Sequence, residues 1–335
     1  MRKLIVIALI GAALWSGYWF VGKSTKYQVL DGWLAERRAA GWTADYSDFR
    51  VVGFPNRFDS RFTDLDLYDP VTGIGWQAPR FHILALSYQP NHIIAAFPNS
   101  QTLTFPQDQI AITSTQMQAS VTFEPDTLLA VNETLMRSSN VSLTSGHGWR
   151  SAAEKFNLST RQSPGQPFAH DIVFDAKNVT PTEAFRQGLD PKGRLPSLIE
   201  ALFLDMQLGF NAPWDRVAIE TGAPEVTTIG LNRMNITWGL LGLNASGMLD
   251  VAENGVLSGE LALEVVNWRE VLELLATSGV LDAGTVLAII GGVGILNAGA
   301  EDPTRLKAAL VINNGSMFLG PIALGAAPRF IRDGA

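Results

Sequence analysis

The chain has 335 residues, 47% of them hydrophobic and 17% charged, which fits a globular or membrane-associated protein and excludes a disordered one. Its net charge of -7, with no run of five like charges, argues against nucleic acid as a partner, since phosphate binding needs a basic face. It has no cysteine, so disulfides, thiolate metal sites and cysteine nucleophiles are ruled out.

Arg2 and Lys3 precede an uncharged run from Leu4 to Gly22. At 1.5 Å per residue this run spans roughly 28 Å, about one hydrocarbon core. Trp15, Tyr18 and Trp19 sit at its far end, where aromatic rings favour a bilayer interface, and Lys23 comes next as a residue able to snorkel. A cleavable signal peptide would end in a small-X-small site; this run ends in Trp-Ser-Gly-Tyr-Trp-Phe, so it is read as an uncleaved anchor. Basic residues flank both ends, which leaves orientation open by charge alone. The order of basic start and apolar core favours translocation of the C-terminal part. That divides the chain into a cytoplasmic tail (1–3), an anchor (4–22), a juxtamembrane helix (23–41) and a periplasmic β-rich domain (42–335). Gly17 to Ser24 matches the phosphate-loop pattern G-x4-G-K-S, but phosphate binding needs a loop between strand and helix. No nucleotide is expected.

Tyr27 to Ala40 has an amphipathic helical pattern, with Tyr27, Leu30 and Leu34 on one face and Gly41 as its stop. From Trp42 to about Thr144 the period becomes that of strands. Phe62–Tyr68, Ile83–Tyr88, Ile93–Phe97, Gln101–Phe105, Gln109–Ser114 and Gln116–Phe123 are separated by Asp69-Pro70, Pro90, Pro98, Pro106 and Pro125. Residues 125–140 are expected as a turn or short helix. Strands resume at Val141–Leu143, Ala153–Thr160 and Asp171–Ala176. Thr182–Gln187 and Ser197–Phe203 read as short helices, and Leu204–Phe210, Met234–Leu240, Leu243–Asp250 and Leu257–Val266 as strands. A helix starting at Trp268 is expected under Asn267 as N-cap, closed by Gly279. A second, Ala283–Leu296, is expected under Asp282. Its core from Val286 to Leu296 is apolar on all sides and too short to span a bilayer, so the pair, within an insert of about 267–297, is expected as a buried helical hairpin. Ala308–Asn313 and Ser316–Leu319 flank Asn314-Gly315, a hairpin turn signal. The fold class expected is mainly β (β-rich α+β): an elongated, curved antiparallel sheet with an N-terminal membrane helix and a C-terminal helical hairpin.

Seven Asn-X-Ser/Thr sequons, among them Asn132, Asn140 and Asn314, fall in apparent strands as well as loops and read as by-products of Asn, Thr and Ser usage. His82 and His92, with Asp66, could share a metal, and Asp64 and Asp66 could pair for acid–base work. No spacing signature supports either, and hydrogen-bonded histidines and a solvated sheet face are the plainer readings. Gly291-Gly292-Val293-Gly294 lacks a preceding strand and reads as close helix packing. Neither G-x-S-x-G nor H-E-x-x-H occurs. The protein is therefore expected not to be an enzyme, and no cofactor or metal is expected.

Gly53-Phe54-Pro55, Trp76-Gln77-Ala78-Pro79, Tyr88 to Pro98, Gly255 to Gly259, Asn267-Trp268-Arg269, and Asn314 to Gly325 with Pro328-Arg329 together resemble a proteobacterial envelope family, domain of unknown function 2125. That resemblance covers nearly the whole chain past the anchor and implies no activity. The strand pattern and anchor are also similar, at the level of fold, to AsmA-like proteins, which implies an open apolar groove that conveys lipid. Two functions remain open from the sequence. One is a membrane-anchored periplasmic protein that binds phospholipid or another hydrophobic ligand, with Trp76, Phe81 and Trp238 as candidate lining. The other is an envelope scaffold with a closed core that binds other envelope proteins.

Overall fold

The computed structural model describes residues 1–296 and 302–330, the side chains of 219–221 and 294–296 excepted. The described chain is mainly β: eighteen strands, antiparallel in every pairing, with a long N-terminal helix and short helices towards the C-terminus. It divides into two compact units: residues 1–125 with 135–148, and 126–134 with 149–335.

In the first unit, the two helical stretches expected at 4–22 and 27–40 are one helix, α1 (Arg2–Ala39), with Arg37 and Arg38 in its last turn, where they complement the helix dipole. It is long and apolar enough to cross a membrane, with a mean hydropathy of 2.0 over its most apolar window. The phosphate-loop look-alike lies inside it. The strands are β1 (Thr43–Asp45), β2 (Asp48–Val52), β3 (Asp59–Asp69), β4 (Ile74–Leu86), β5 (Gln89–Ala96), β6 (Ser100–Phe105), β7 (Asp108–Thr113), β8 (Gln116–Phe123) and β9 (Val131–Ser145). Asp69 holds the β3–β4 turn by accepting from Val71 N (2.9 Å) and Thr72 Oγ1 (2.8 Å). Asp64 (φ 48°) falls at the level of Pro79 across the β3–β4 ladder, and the inward set changes there from Phe62 and Phe81 to Leu65 and Ala78.

The core of this unit joins the helix to the sheet. Trp19 and Leu34 of α1 pack with Ala44, Phe49, Val51, Phe58, Phe62 and Leu65. Tyr27 stacks on Phe49 at 4.8 Å between ring centroids, and Phe49 on Phe62 at 4.3 Å. Trp19 is thus buried in protein, 3% exposed. Its Nε1 donates to Arg57 O at 2.8 Å, and Lys23 lies over its ring.

The second unit holds the first residues of β9, then β10 (Arg150–Gln162), β11 (Ala169–Thr180), α2 (Glu183–Leu189), β12 (Ile199–Phe210), α3 (Arg216–Thr221), β13 (Val226–Trp238), β14 (Leu241–Val251), β15 (Leu257–Val266), α4 (Trp268–Thr277), α5 (Ala283–Leu296), β16 (Arg305–Asn313), β17 (Ser316–Leu319) and β18 (Ile322–Ala326). From β10 to β18 each strand pairs with the next. Asn314 (φ 48°) and Gly315 (φ 76°) form the left-handed two-residue turn expected between β16 and β17.

Several expectations fail. Residues 131–140 are strand, not helix: Asp126 satisfies the N–H groups of Leu128 and Leu129 in a short turn, and β9 begins directly after it. Residues 199–203 belong to β12, because the register with β11 runs unbroken from Ile199. Asn267 precedes α4 in a left-handed conformation and makes no side-chain cap; its Nδ2 donates to Leu240 O instead. Asp282 does cap α5, accepting from Thr285 N at 3.0 Å. The pair α4–α5 is not a buried hairpin. Among the described side chains of α5 only Ile289 and Val293 are buried, against Trp268, Leu272, Leu306 and Leu319, whereas Leu287 is 69% exposed. Of the glycines in that run, Gly292 packs close to Ile322 and Gly291 faces open space; Asn297 lies outside the described residues.

Candidate functional site

Alternation along β10–β16, interrupted by a bulge in β13 between Leu231 and Met234, sorts the second unit's side chains onto two faces. Register carries one apolar row through β10 (Phe156, Leu158), β11 (Ile172, Phe174) and β12 (Leu202, Leu204, Met206, Leu208). It continues through β13 (Ile229, Leu231, Met234, Ile236), β14 (Leu243, Ala245, Leu249), β15 (Leu261, Leu263, Val265) and β16 (Leu306, Ala308, Leu310). The opposite face is polar and cross-linked between strands. Arg161 pairs with Asp171 (3.1 Å), Asn235 donates to Asn244 (2.9 Å), and Arg305 pairs with Glu264 (2.8 Å).

The apolar face is covered by protein at its two ends and, on β15 and β16, by α4 and α5, which pack over Leu263, Val265, Leu306 and Ala308. At one end Leu195, Ile199, Trp238 and Leu274 form a closed cluster beneath α2 and α4. At the other, Val226, Leu249, Val251, Leu257 and Ile312 pack together with Phe210 and Phe330 beside them. Between these clusters Phe174, Leu204, Met206, Leu231 and Leu310 are only partly buried. From Leu202 to Phe210, eight residues along β12, the face runs about 26 Å, and seven strands give it about 29 Å across.

Each end carries a cavity. Near α4, Leu189, Trp238, Leu241, Leu243, Val271 and Leu275 line about 160 Å³. A neighbouring space of about 280 Å³ is lined by Arg194, Pro196, Leu240 and Glu270. At the far end a cup of about 460 Å³ is formed by Val131, Ile172, Leu208, Phe210, Trp214, Pro224 and Val226, with Thr134, Thr160 and His170 supplying its polar groups. Thr134 Oγ1 and Thr160 Oγ1 bond to each other at 3.0 Å. His170 is 5% exposed with Phe210 edge-on to its ring, and burial pushes its pKa below the ordinary imidazole value, partly opposed by Asp171. An apolar concavity of this size with a few polar groups at one side is the usual form of a small-ligand site.

The residues singled out from the sequence are dispersed. Trp238 closes the α4 end of the apolar face, donating from Nε1 to Pro196 O at 2.8 Å. Trp76 and Phe81 touch each other, ring centroids 4.8 Å apart, but they belong to the first unit's core, where Trp76 Nε1 donates to Gln101 Oε1 at 2.7 Å. Trp15 and Tyr18 are exposed on α1, donating to Pro55 O (2.8 Å) and Ser87 O (2.6 Å). His82 faces Ala96, and His92 lies four residues along β5 from it, about 13 Å away. No cluster of three metal-binding side chains occurs among the described residues. Asp64 accepts from Ser47 Oγ and Asp66 from Gln77 Nε2, and the left-handed conformation at Asp64 breaks the alternation that a shared face would need. His170 went unnoticed in the sequence. Its signal was the alternation His170, Ile172, Phe174, Ala176, which puts one histidine on an otherwise apolar row.

A family of uncharacterized proteins conserved in bacteria, DUF2125, matches the chain over residues 19–328. The chain belongs to that family. The match begins at Trp19, the first residue of α1 buried against the sheet, so the family pattern takes in the docked half of the helix and both units. No curated protein and no solved structure matches the chain, so the AsmA-like likeness has no support beyond the strand pattern and the N-terminal apolar helix.

Proposed function

We propose that this DUF2125 protein stays attached to the bacterial inner membrane through an uncleaved α1, with both β units in the periplasm. On this reading the apolar face of the second unit holds the acyl portion of a lipid. One observation carries it: seven paired strands present a continuous apolar row whose middle residues Phe174, Leu204, Met206 and Leu231 are only partly buried among the described residues, while their other face is polar and cross-linked. A sheet face of this kind exposed to water is unfavourable, and large uncovered apolar patches mark sites that another apolar surface fills. The membrane helix on the same chain makes phospholipid the available occupant. The cups at the two ends, one with His170, Thr134 and Thr160 and one with Arg194 and Glu270, supply polar groups for a lipid's non-acyl part. The reading involves binding and no catalytic step.

The test places a photo-crosslinking amino acid in the full chain at Met206 or Leu231 on the apolar face, or at Asn235 on the polar face, in cells. Lipid adducts are then identified by mass spectrometry. Phospholipid adducts at Met206 and Leu231, absent at Asn235, are expected. Equal labelling at all three sites, or none at the first two, overturns the reading and leaves a scaffold with closed ends as the better account.

A further inference from the structure

Helix α1 does not emerge from a membrane before it meets the first unit. Every residue from 1 to 14 is exposed, and Trp15 is the first to bond the strands and loops. The uncharged stretch free of protein, Leu4–Leu14, covers only about 17 Å at 1.5 Å per residue, little more than half of a hydrocarbon core of about 30 Å. A helix that crosses the bilayer must therefore use residues 15–22 as well, and these are the residues on which protein is docked.

Two segments lie along that stretch. The loop after β2 runs beside the helix, Pro55 O accepting from Trp15 and Arg57 O from Trp19 (2.8 Å each), then Phe58 O from Lys26 at 2.6 Å. Gly22 allows the closest approach, since a Cβ there would lie 2.5 Å from the Phe58 ring. The β4–β5 turn joins it, with Ser87 O accepting from Tyr18 and Ser87 N donating to Asn56 O. Residues 53–56 and 86–90 carry no charged side chain, and Arg57, at the loop's end, is paired with Asp59 at 3.0 Å. Large side chains nevertheless point outward here: Phe54 is 53% and Tyr88 62% exposed, and Phe54 stacks with exposed Phe20 of the helix at 6.0 Å. Lys23 and Lys26 come one to two turns on, at the level expected for phosphate groups.

We infer that the loop 53–58 and the β4–β5 turn are embedded in the outer leaflet of the membrane that α1 crosses, with Phe54 and Tyr88 at the boundary of headgroups and acyl chains. The partner is the phospholipid bilayer itself. The first unit is then seated in the lipid surface beside its own helix rather than tethered above it. The inference rests on α1 being an uncleaved membrane anchor.

The cysteine-free chain makes the test direct. Single variants Leu9→Cys, Phe54→Cys, Tyr88→Cys and Val71→Cys carry an environment-sensitive fluorophore in the full chain. They are reconstituted in phosphatidylethanolamine–phosphatidylglycerol vesicles containing phosphatidylcholine spin-labelled near the headgroup or deep in the tail. Val71 is the aqueous reference, 87% exposed in the turn at the other end of the β3–β4 hairpin. Expected is deep quenching at Leu9, headgroup-proximal quenching at Phe54 and Tyr88 several-fold above Val71, and none at Val71. Quenching at Leu9 with Phe54 and Tyr88 no different from Val71 overturns the inference and leaves the anchor standing. No quenching at Leu9 overturns both. Tyr88, which makes no ring contact with the helix, keeps the test decisive if Phe54→Cys disturbs the packing of Trp19.

Discussion

Replacing Trp19 with alanine separates two accounts of the same residue. As a membrane-interface aromatic it would contribute little to the stability of the β-sheet beside it. As the structure has it, Trp19 is 3% exposed, with rings of Phe20, Phe54 and Phe58 within 5.2 to 6.0 Å of its centroid and a hydrogen bond to Arg57 O. Burial of an indole removes about 150–250 Å² from contact with water, worth about 4–6 kcal/mol at about 25 cal/mol per Å² as an upper bound. Truncations of this kind in cores cost about 3–5 kcal/mol, so Trp19→Ala is expected to destabilise the first unit by about that much. Trp19→Phe keeps the ring stack and loses the hydrogen bond, for about 1–2 kcal/mol. Phe20→Ala, one residue along and 60% exposed, should stay below about 1 kcal/mol. The assay is pulse proteolysis of the full chain in mild detergent across a urea series, reading cleavage in β2–β4. Equal midpoints for Trp19→Ala and Phe20→Ala would refute the docked helix.

Other contacts lead to further expectations. Gly22→Ala forces the Phe58 ring to move and should cost about 1–3 kcal/mol in the same assay, whereas Gly17→Ala, with open space around it, should not. Gly247 sits in mid-strand at φ 149° with the Glu260 carbonyl against the position of a Cβ; Gly247→Ala should destabilise the second unit, read as a lower urea midpoint for cleavage within β14–β15. Burial holds the pKa of His170 below its value in the unfolded chain, so between the two values the unfolded state binds more protons. The contribution is present above about pH 6.5 and is lost as pH drops through the folded value, and His170→Gln should flatten the slope below about pH 6.5. His82, lowered chiefly by burial and also by Arg61, adds a slope of the same sign that His170→Gln leaves in place.

Periodicity was legible in the sequence where it was undiluted. The N-terminal apolar helix, the strands between Pro-bearing turns, the Asn314-Gly315 hairpin and the Asp282 cap all arise from local chemistry. The failures came where a strand is rich in residues that suit either state. Ser197–Phe203 places Leu198, Ala201 and Leu202 at helical spacing, and only pairing with β11 on one side and β13 on the other decides for strand. Thr134–Arg137 misleads similarly through Leu135 and Met136. Trp15, Tyr18 and Trp19 were expected from the sequence at a membrane interface; they lie mid-way along α1, and their partners, Pro55, Ser87 and Arg57, are backbone carbonyls 38 to 69 residues away, which no spacing rule encodes. The candidate site was legible as rows but not as a face. Alternation in Leu202–Phe210 or Leu257–Val266 shows that each strand has an apolar side; which strands share it depends on register.

The extent of that face bears on whether lipid bound there would be a permanent part of the fold or cargo. Its area is roughly 750 Å² from about 29 Å across and 26 Å along, with both ends already covered by protein. If a ligand covers half, the protein's share of burial is worth about 9 kcal/mol at 25 cal/mol per Å². Loss of translational and rotational freedom opposes this by about 4–15 kcal/mol. Burial of the chain itself adds to binding, but most of that gain is matched by what the same chain regains in a bilayer. The two destinations are thus close in free energy, and on the proposed reading the occupant exchanges with membranes. Full-length protein reconstituted with a fluorescent phospholipid should pass it to protein-free acceptor vesicles faster than vesicles exchange it alone, and Leu231→Glu, which places a charge mid-face, should abolish the acceleration. Retention of the label through repeated exposure to acceptor vesicles would mean that the lipid is structural, and the idea of a carrier would fall while the binding face remained.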